Sequence, residues 1–374
     1  MVNHGVAANF KGGDSVQIQE TTKRLYQRGH QIAITNNDSP DTSGFDLVHI
    51  FNCREVNSFS KQLESCSQRN IPVVVSPIWV SIPRAFWGSR SSFSALQDAL
   101  ENNNEQHPSL SKLKDRELVL NESGELHYSH GYGNEQRFSI PRLRNQIKLV
   151  DGLLPNSFLE MKSIREDLLW KGNNFNIANY GVNPQIFLDA DPEIFRKETG
   201  INQQFIMQAG RIEPAKNQAM LCWALRKTNI NIVLIGSSEN WPAYGDLCKQ
   251  ISGEKLTIID HLPQKSLASA YAASSAHILP SWCETCGLVS LEAALNNTPV
   301  IGSTFGHELE YLQSDALYVD PADPKSIHDA VIQALEEGKH HHRVSSLKKR
   351  VLSKFNWENT TESTIHLYEQ ILSI

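Results

Sequence analysis

Two glutamates stand eight positions apart in Glu284-Thr-Cys-Gly-Leu-Val-Ser-Leu-Glu292. The apolar segment His277-Ile-Leu-Pro280 before them predicts a short buried strand, and Leu288, Leu291, Ala294 and Leu295 after them recur at helical spacing. A helix therefore opens close to Gly287. The first amides of a helix have no carbonyl partner inside it, so those around Cys286, Gly287 and Leu288 can attract an anion such as a diphosphate. Glu284 and Thr285 fall in the loop at the strand's end, whereas Glu292 lies more than one turn into the helix. One carboxylate can reach a sugar and the other a ribose. Taken alone, the pair is equally compatible with two solvated glutamates.

A second cluster, Gly210-Arg-Ile-Glu-Pro-Ala-Lys216-Asn217, directly follows the apolar strand Phe205–Ala209. Arg211 and Lys216 stand where that strand gives way to a helix. Two fixed cations there can neutralise a diphosphate leaving group without a metal ion. A third cluster, Lys11-Gly12-Gly13-Asp14, opens the helix Asp14–Arg28. Its glycines let a ligand approach the backbone, and the helix start adds positive potential.

These residues need a scaffold of strands and helices. In the C-terminal half, Phe205–Ala209, Ile232–Ile235, Leu256–Ile259, Ala276–Leu279, Val300-Ile301 and Leu317–Val319 predict short buried strands. Helical stretches near 217–227, 240–252, 265–275, 287–296, 307–312 and 324–337 separate or follow them. This alternation predicts a parallel, doubly wound sheet, whose ligands bind at the carboxyl ends of its strands. The N-terminal half repeats the pattern with strands at Ile32–Thr35, Leu47–Phe51 and Val73–Val75. Residues 85–140, rich in Ser, Asn, Gln and Gly, predict a long insertion with some helix. A helix near 140–149 precedes a turn at Asn179-Tyr-Gly-Val-Asn183, and a last helix covers about 358–373. The expected class is thus α/β with two Rossmann-like domains. Residues 1–183 form the first, 184–356 the second, and a helix over 357–374 crosses back.

Composition excludes several classes. The chain has 374 residues, a net charge of −6 and 20% charged side chains, and neither half is basic. Nucleic acid is therefore not an expected partner, and membrane contact is peripheral at most. No 18-residue apolar run predicts a transmembrane helix. The start lacks the pattern of a signal peptide, and six scattered cysteines fit free thiols in a reducing cytoplasm.

The two principal clusters together closely resemble family four, or group 1, of the retaining nucleotide-sugar glycosyltransferases, which have the GT-B architecture. The family texts are Gly-Arg-Leu-x-x-x-Lys-Gly/Asn and Glu-x-Phe-Gly-Leu-x-x-x-Glu-Ala. Pro299-Val-Ile-Gly with Gly306 and Glu310, Val319-Asp-Pro-x-Asp323, and Asn179-Tyr-Gly-Val-Asn183 with Phe187 are similar to further family segments. The resemblance implies that Arg211 and Lys216 hold the donor diphosphate and that Glu292 binds the ribose. It implies that Glu284, Thr285 and the amides of Cys286, Gly287 and Leu288 hold the donor sugar. Gly210 belongs to the donor site, and Gly236 with the backbone near Leu262 borders the base. Gly12 and Gly13 face the diphosphate. Lys11, Asp14, His49 and His130 are the acceptor-side candidates. The implied activity is metal-independent, front-face transfer, of hexosyltransferase type, from a nucleoside-diphosphate sugar. The acceptor would be a sugar, a lipid-linked acceptor or a small molecule, and no cofactor is expected. A non-catalytic nucleotide-sugar-binding protein and a sugar-nucleotide epimerase are the alternatives.

The chain departs from the family at three places. The usual His after Val73–Ser76 is replaced by Pro77-Ile-Trp79, so a sugar contact is lost or supplied elsewhere, with His130 the candidate. Cys286 stands in place of Phe. Only Met1-Val2 precedes the glycine loop where a central strand is expected, which predicts that the natural gene starts about five apolar residues upstream. Asp189-Ala-Asp191 imitates a metal motif but predicts a helix cap. His340-His-His342 predicts a solvated turn, and His49 a core histidine or an acceptor contact.

Overall fold

Valine and isoleucine runs too short for helices, and buried along most of their length, set the larger sheet. The computed structural model describes residues 1–3, 13–102, 125–129 and 135–373. In chain order the strands are β1 (Val48–Phe51), β2 (Val73–Ser76), β3 (Glu125–Ser129), β4 (Glu135–Ser139), β5 (Gly152–Leu153), β6 (Phe205–Ala209), β7 (Asn231–Ile235), β8 (Leu256–Ile259), β9 (Ala276–Ile278), β10 (Val300–Ser303) and β11 (Leu317–Val319). Two compact units result. One comprises the described residues within Met1–Ser81, Val119–Gly181 and Phe355–Ile374; the other those within Ile82–Leu118 and Val182–Lys354.

The second unit holds six parallel strands in the order β11-β10-β9-β6-β7-β8. Chain order reverses between β6 and β9, and this switch opens a crevice at the carboxyl ends of those two strands. The inner strands β6, β9 and β10 are buried throughout, as a sheet covered on both faces requires. Ile206, Ile232, Leu234, Ile278 and Ile301 pack with Met220, Trp223, Leu247 and Val331 from the flanking helices. Helices at Gln218–Leu225, Pro242–Ser252, Gln264–Ala273, Leu288–Leu295 and Pro324–Glu337 match the predicted periodicity.

The first unit has a smaller parallel sheet, β1-β2-β5. Beyond β1 the sheet continues by single-residue bridges, Val2 pairing with Ile50 on one side and with Thr35 on the other. The strand expected at Ile32–Thr35 is reduced to that single bridge, because Val2 offers it only one partner; Ile34 is half exposed. The helix Trp357–Leu372 belongs to this unit. Its Leu367 packs with Val74, Leu154 and Ala178. Among the described residues, no helix is long and apolar enough to cross a membrane.

Residues 85–140, expected as one insertion of the first domain, divide instead. β3 and β4 form an antiparallel hairpin in the first unit. The helix Ile82–Glu101 belongs to the second. Ala95, Leu96 and Ala99 on its inner face are at most 1% exposed and join the core around Met220 and Trp223. Phe93 meets Tyr244 edge-on at 5.4 Å. Small and apolar positions four apart make this stripe, but the surrounding serines obscure it in the sequence.

Leu96→Ala should therefore destabilise the second unit by about 2–5 kcal/mol, the usual cost of emptying a buried leucine site. Urea denaturation followed by tryptophan fluorescence measures this. A loss within about 0.5 kcal/mol, as at ordinary surface sites, would place the helix outside the core.

Candidate active site

β6 and β9 end side by side, and each delivers one of the predicted clusters. After β6 the chain turns at Gly210 (φ 135°), and after β7 it turns at Gly236 (φ 153°). A Cβ at Gly236 would lie 2.0 Å from the Gly210 carbonyl oxygen, so the two turns touch backbone to backbone. The 210–218 segment is then pinned from below. Gln208 donates to the Lys216 carbonyl at 2.8 Å, and Gln218 donates to the Arg211 carbonyl at 2.8 Å. Asn217, 1% exposed with φ 62°, donates to the carbonyls of Pro280 and Pro321 at 3.0 and 2.9 Å. Its amide thus ties the β6 turn to the chain leaving β9 and β11.

From the other side, Trp282 donates its backbone N–H to the Ala215 carbonyl at 2.9 Å. Two residues on, Glu284 meets Lys216, Nζ to Oε2, at 2.6 Å. Both side chains are largely buried, at 19% and 11% exposure. Burial works against the Lys216 charge, but the Glu284 carboxylate outweighs it and holds the ammonium pKa above its usual value. Glu284 is also clamped through its backbone, since its carbonyl accepts the His307 N–H at 3.0 Å. A Cβ at Gly306 would come within 2.7 Å of that carbonyl.

Gly287 (φ 65°) then turns the loop into the helix Leu288–Leu295. The first internal bond runs from the Ser290 N–H to the Gly287 carbonyl at 2.8 Å, so the Leu288 and Val289 amides precede it. Cys286 is buried, and burial together with Glu284 pushes its thiol well above the usual range. Glu292 accepts the Tyr271 hydroxyl at 3.0 Å, and burial pushes its carboxyl up to about 8.

Two residues of the predicted set stand apart from this contact. Arg211 is exposed and pairs with Glu213 at 3.1 Å. Leu262 is half-buried beyond the end of β8. Asp191 caps the helix Pro192–Thr199 by accepting the Glu193 N–H at 3.0 Å, and Asp189 pairs with Lys348 at 2.5 Å. Neither aspartate belongs to the crevice.

In the first unit, Gly13 opens the helix Gly13–Gln27, and Asp14 accepts the Ser15 N–H at 2.8 Å. Lys11, Gly12 and His130 lie outside the described residues. His49 is 2% exposed, and both its ring nitrogens are engaged, with the Tyr368 hydroxyl at 2.7 Å and the Ser76 hydroxyl at 2.9 Å. It is a core histidine that ties the C-terminal helix to the sheet, which corrects its place among the acceptor-side candidates. At the end of β2, where the resembled family carries His, the amide of Trp79 is held by buried Glu160 at 2.6 Å. Glu160 also accepts the Asn156 N–H at 2.5 Å, and burial pushes its carboxyl up to about 7.

Asn217, Gln208, Trp282 and Glu160 were not among the predicted site residues. Asn217 alone had a signal, since asparagine after the lysine of a strand-to-helix turn suits a left-handed residue.

The strand order is that of a doubly wound parallel sheet, with the two loops paired at its switch point. Residues 191–351 match the family described as glycosyl transferases group 1. An uncharacterised glycosyltransferase of Methanocaldococcus jannaschii is 29% identical over 203 residues, covering 50% of this chain and 52% of that one. A D-inositol 3-phosphate glycosyltransferase of Corynebacterium glutamicum is 22% identical over 395 residues, covering 97% and 92%. The chain spans about half the length of most of the curated relatives it matches first. Among solved structures, Anabaena HepE in complex with UDP-glucose superimposes with a TM-score of 0.70 at 13% identity, over 100% of this chain and 99% of that one. The fold is therefore that of the GT-B glycosyltransferases.

Glu160 and Glu292 have carboxyl pKa values raised above the unfolded value, so both favour folding in their protonated forms. That contribution is complete below the ordinary carboxyl range and is lost as pH rises through about 7 for Glu160 and about 8 for Glu292. Urea midpoints should fall across this window, and Glu292→Gln should flatten its upper part. An unchanged slope above about pH 7 in the variant would remove Glu292 as a cause.

Proposed function

We propose that the protein is a retaining glycosyltransferase that moves a sugar from a nucleoside-diphosphate sugar to an acceptor hydroxyl without a metal ion. The observation that carries this reading is the 2.6 Å contact between Lys216 and Glu284, made across the switch point of a six-stranded parallel sheet. A strand-end cation, a loop carboxylate and a helix start converge there. Neutralising a diphosphate and orienting a sugar require that combination.

In this reading Lys216 and the exposed Arg211 take the diphosphate, with the Leu288 and Val289 amides adding positive potential. Arg211 is itself 56% exposed, and its pair with the more buried Glu213 leaves the guanidinium open to solvent, so it can swing to a ligand. Glu284 hydrogen-bonds the sugar. Its ion pair with Lys216 lowers its nucleophilicity, which favours front-face transfer over a covalent intermediate. The bond from the anomeric carbon to the diphosphate breaks, the bond to the acceptor oxygen forms on the same face, and the departing diphosphate oxygen takes the acceptor's proton. Glu292 accepts hydrogen bonds from the ribose. Both matched relatives are named glycosyltransferases, and the solved neighbour holds UDP-glucose. A cytoplasmic protein with peripheral membrane contact at most completes the proposal.

Lys216→Ala and Arg211→Ala should each lower transfer by about two orders of magnitude or more, and wild-type activity should survive excess EDTA. The assay is nucleoside diphosphate release from a panel of sugar nucleotides. Near-normal turnover in both variants would misplace the diphosphate site, and loss in EDTA restored by manganese would overturn metal independence.

Glu292 makes a second test possible. Near pH 7 its free carboxyl, with a pKa of about 8, is mostly protonated, whereas ribose hydroxyls stabilise the carboxylate. Nucleoside diphosphate binding should therefore release protons, measurable by calorimetry in buffers of different ionisation enthalpy. Glu292→Gln should abolish the release. Proton uptake by the wild type, or an equal release by the variant, would contradict the ribose role.

A further inference from the structure

A buried acid lies directly beneath the loop that carries Glu284. Glu308 begins a five-residue helix, Glu308–Leu312, just after β10, and its side chain is fully buried. The family-like motif has Glu310 two positions later, but Glu310 is only half-buried, and it is Glu308 that faces inward. Its Oε1 accepts the Ser303 N–H at 2.7 Å. A Cβ at Gly302 would lie 3.0 Å from Oε1, and one at Gly287 only 2.7 Å from Oε2. The carboxyl therefore fills the space that the missing side chains of Gly302 and Gly287 leave. Ser290, also fully buried, sits against it from the first turn of the donor-side helix.

We propose that Glu308 is a positioning residue. Wedged between the Ser303 amide and Gly287, its carboxyl holds the 284–288 turn in the shape that presents Glu284 and the helix-start amides to a nucleotide sugar. The inference rests on the donor-site reading given above. Gly287 needs its left-handed conformation to end the loop, and on the side where a Cβ would lie the Glu308 carboxyl is the nearest group, at 2.7 Å, ahead of the Ser290 hydroxyl at 3.4 Å and the Glu284 side chain at 3.6 Å. Without that prop the turn can relax downward, and Glu284 with it.

The charges around Glu308 make the role sensitive to pH. Burial raises its pKa well above the carboxylate range, and Glu284 raises it further; the Ser303 amide, the Lys216 ammonium and the Ser290 hydroxyl act the other way. Cys286 and Tyr318 also face it, and both are themselves pushed up by burial. His307, next in the chain, is lowered to about 4 by burial and is neutral near pH 7. Burial thus favours the protonated form of Glu308. The stabilisation this gives is lost as pH rises through the raised value. Ionisation would add a second negative charge beside Glu284, with one lysine between them.

The test is calorimetric titration with adenosine, guanosine, uridine and thymidine diphosphates. If wild type binds none of them, the donor-site reading fails and the Glu308 role falls with it. With the best binder, affinity is measured from about pH 6 to pH 10 for wild type, Glu308→Gln and Glu308→Ala, alongside unliganded melting curves. At neutral pH Glu308→Gln, which keeps the shape and a neutral head, should stay within about threefold of wild type, and Glu308→Ala should weaken binding about tenfold or more. Deprotonation of Glu292 raises affinity in both proteins as pH passes about 8, so the expected result is a loss of affinity by wild type at alkaline pH relative to Glu308→Gln. Where Glu308→Ala does not fold, the pH profile of Glu308→Gln decides alone. Wild-type affinity in a folded Glu308→Ala, or parallel alkaline profiles in wild type and Glu308→Gln, would overturn the role while leaving the donor site in place.

Discussion

The ion pair between Lys216 and Glu284 is the contact on which the arrangement of the second unit's site depends. It joins two loops that are 68 positions apart in the chain and meet only because the sheet order reverses between β6 and β9. Each partner is too buried to stand unpaired. Removing one from such a pair typically costs about 3–5 kcal/mol, because the other charge stays behind without compensation. The surrounding network serves that geometry. Asn217, Gln208 and the Trp282 amide fix the lysine side, and His307, Gly306 and Glu308 hold the glutamate side.

Much of this was legible in the residues. The strands of the second unit are short runs of β-branched and aliphatic side chains between helical stretches, and each appears within a residue or two of its predicted place. That Lys216 and Glu284 each follow a strand end of one parallel sheet was legible, but that β6 and β9 lie side by side and bring them into contact was not. Gly210, Gly236 and Gly287, expected as donor-side glycines, each have a positive φ that L-residues avoid. Asp191 was legible as a cap because Pro192 follows it.

What was not legible depends on partners remote in sequence. Whether Glu308 or Glu310 faces inward cannot be decided from a helix of five residues, which is too short to show a periodic face. His49 looks the same as a core residue or a ligand until Tyr368, 319 positions away, is seen to occupy its Nδ1. Ile32–Thr35 has strand-forming residues, but a strand also needs a neighbour, and Val2 provides a single bridge. Glu160 reads as an ordinary helix residue. Its role comes from the Trp79 amide at the end of another strand.

The helix Ile82–Glu101 alters what counts as a module in this protein. It is encoded within the first half, yet its Leu96 completes the core of the second unit, while the last helix, encoded after the second half, packs with Val74 of the first. The chain lends one helix forward and takes one back. A single cut near residue 182 would therefore yield no pair of independent halves. One fragment would carry a helix without its core and the other a core with a gap. Recombination with a relative is subject to the same restriction. A chimera that inherits the second unit must inherit Ile82–Glu101 with it, although β3, β4 and β5 of the first unit stand between the two in the chain.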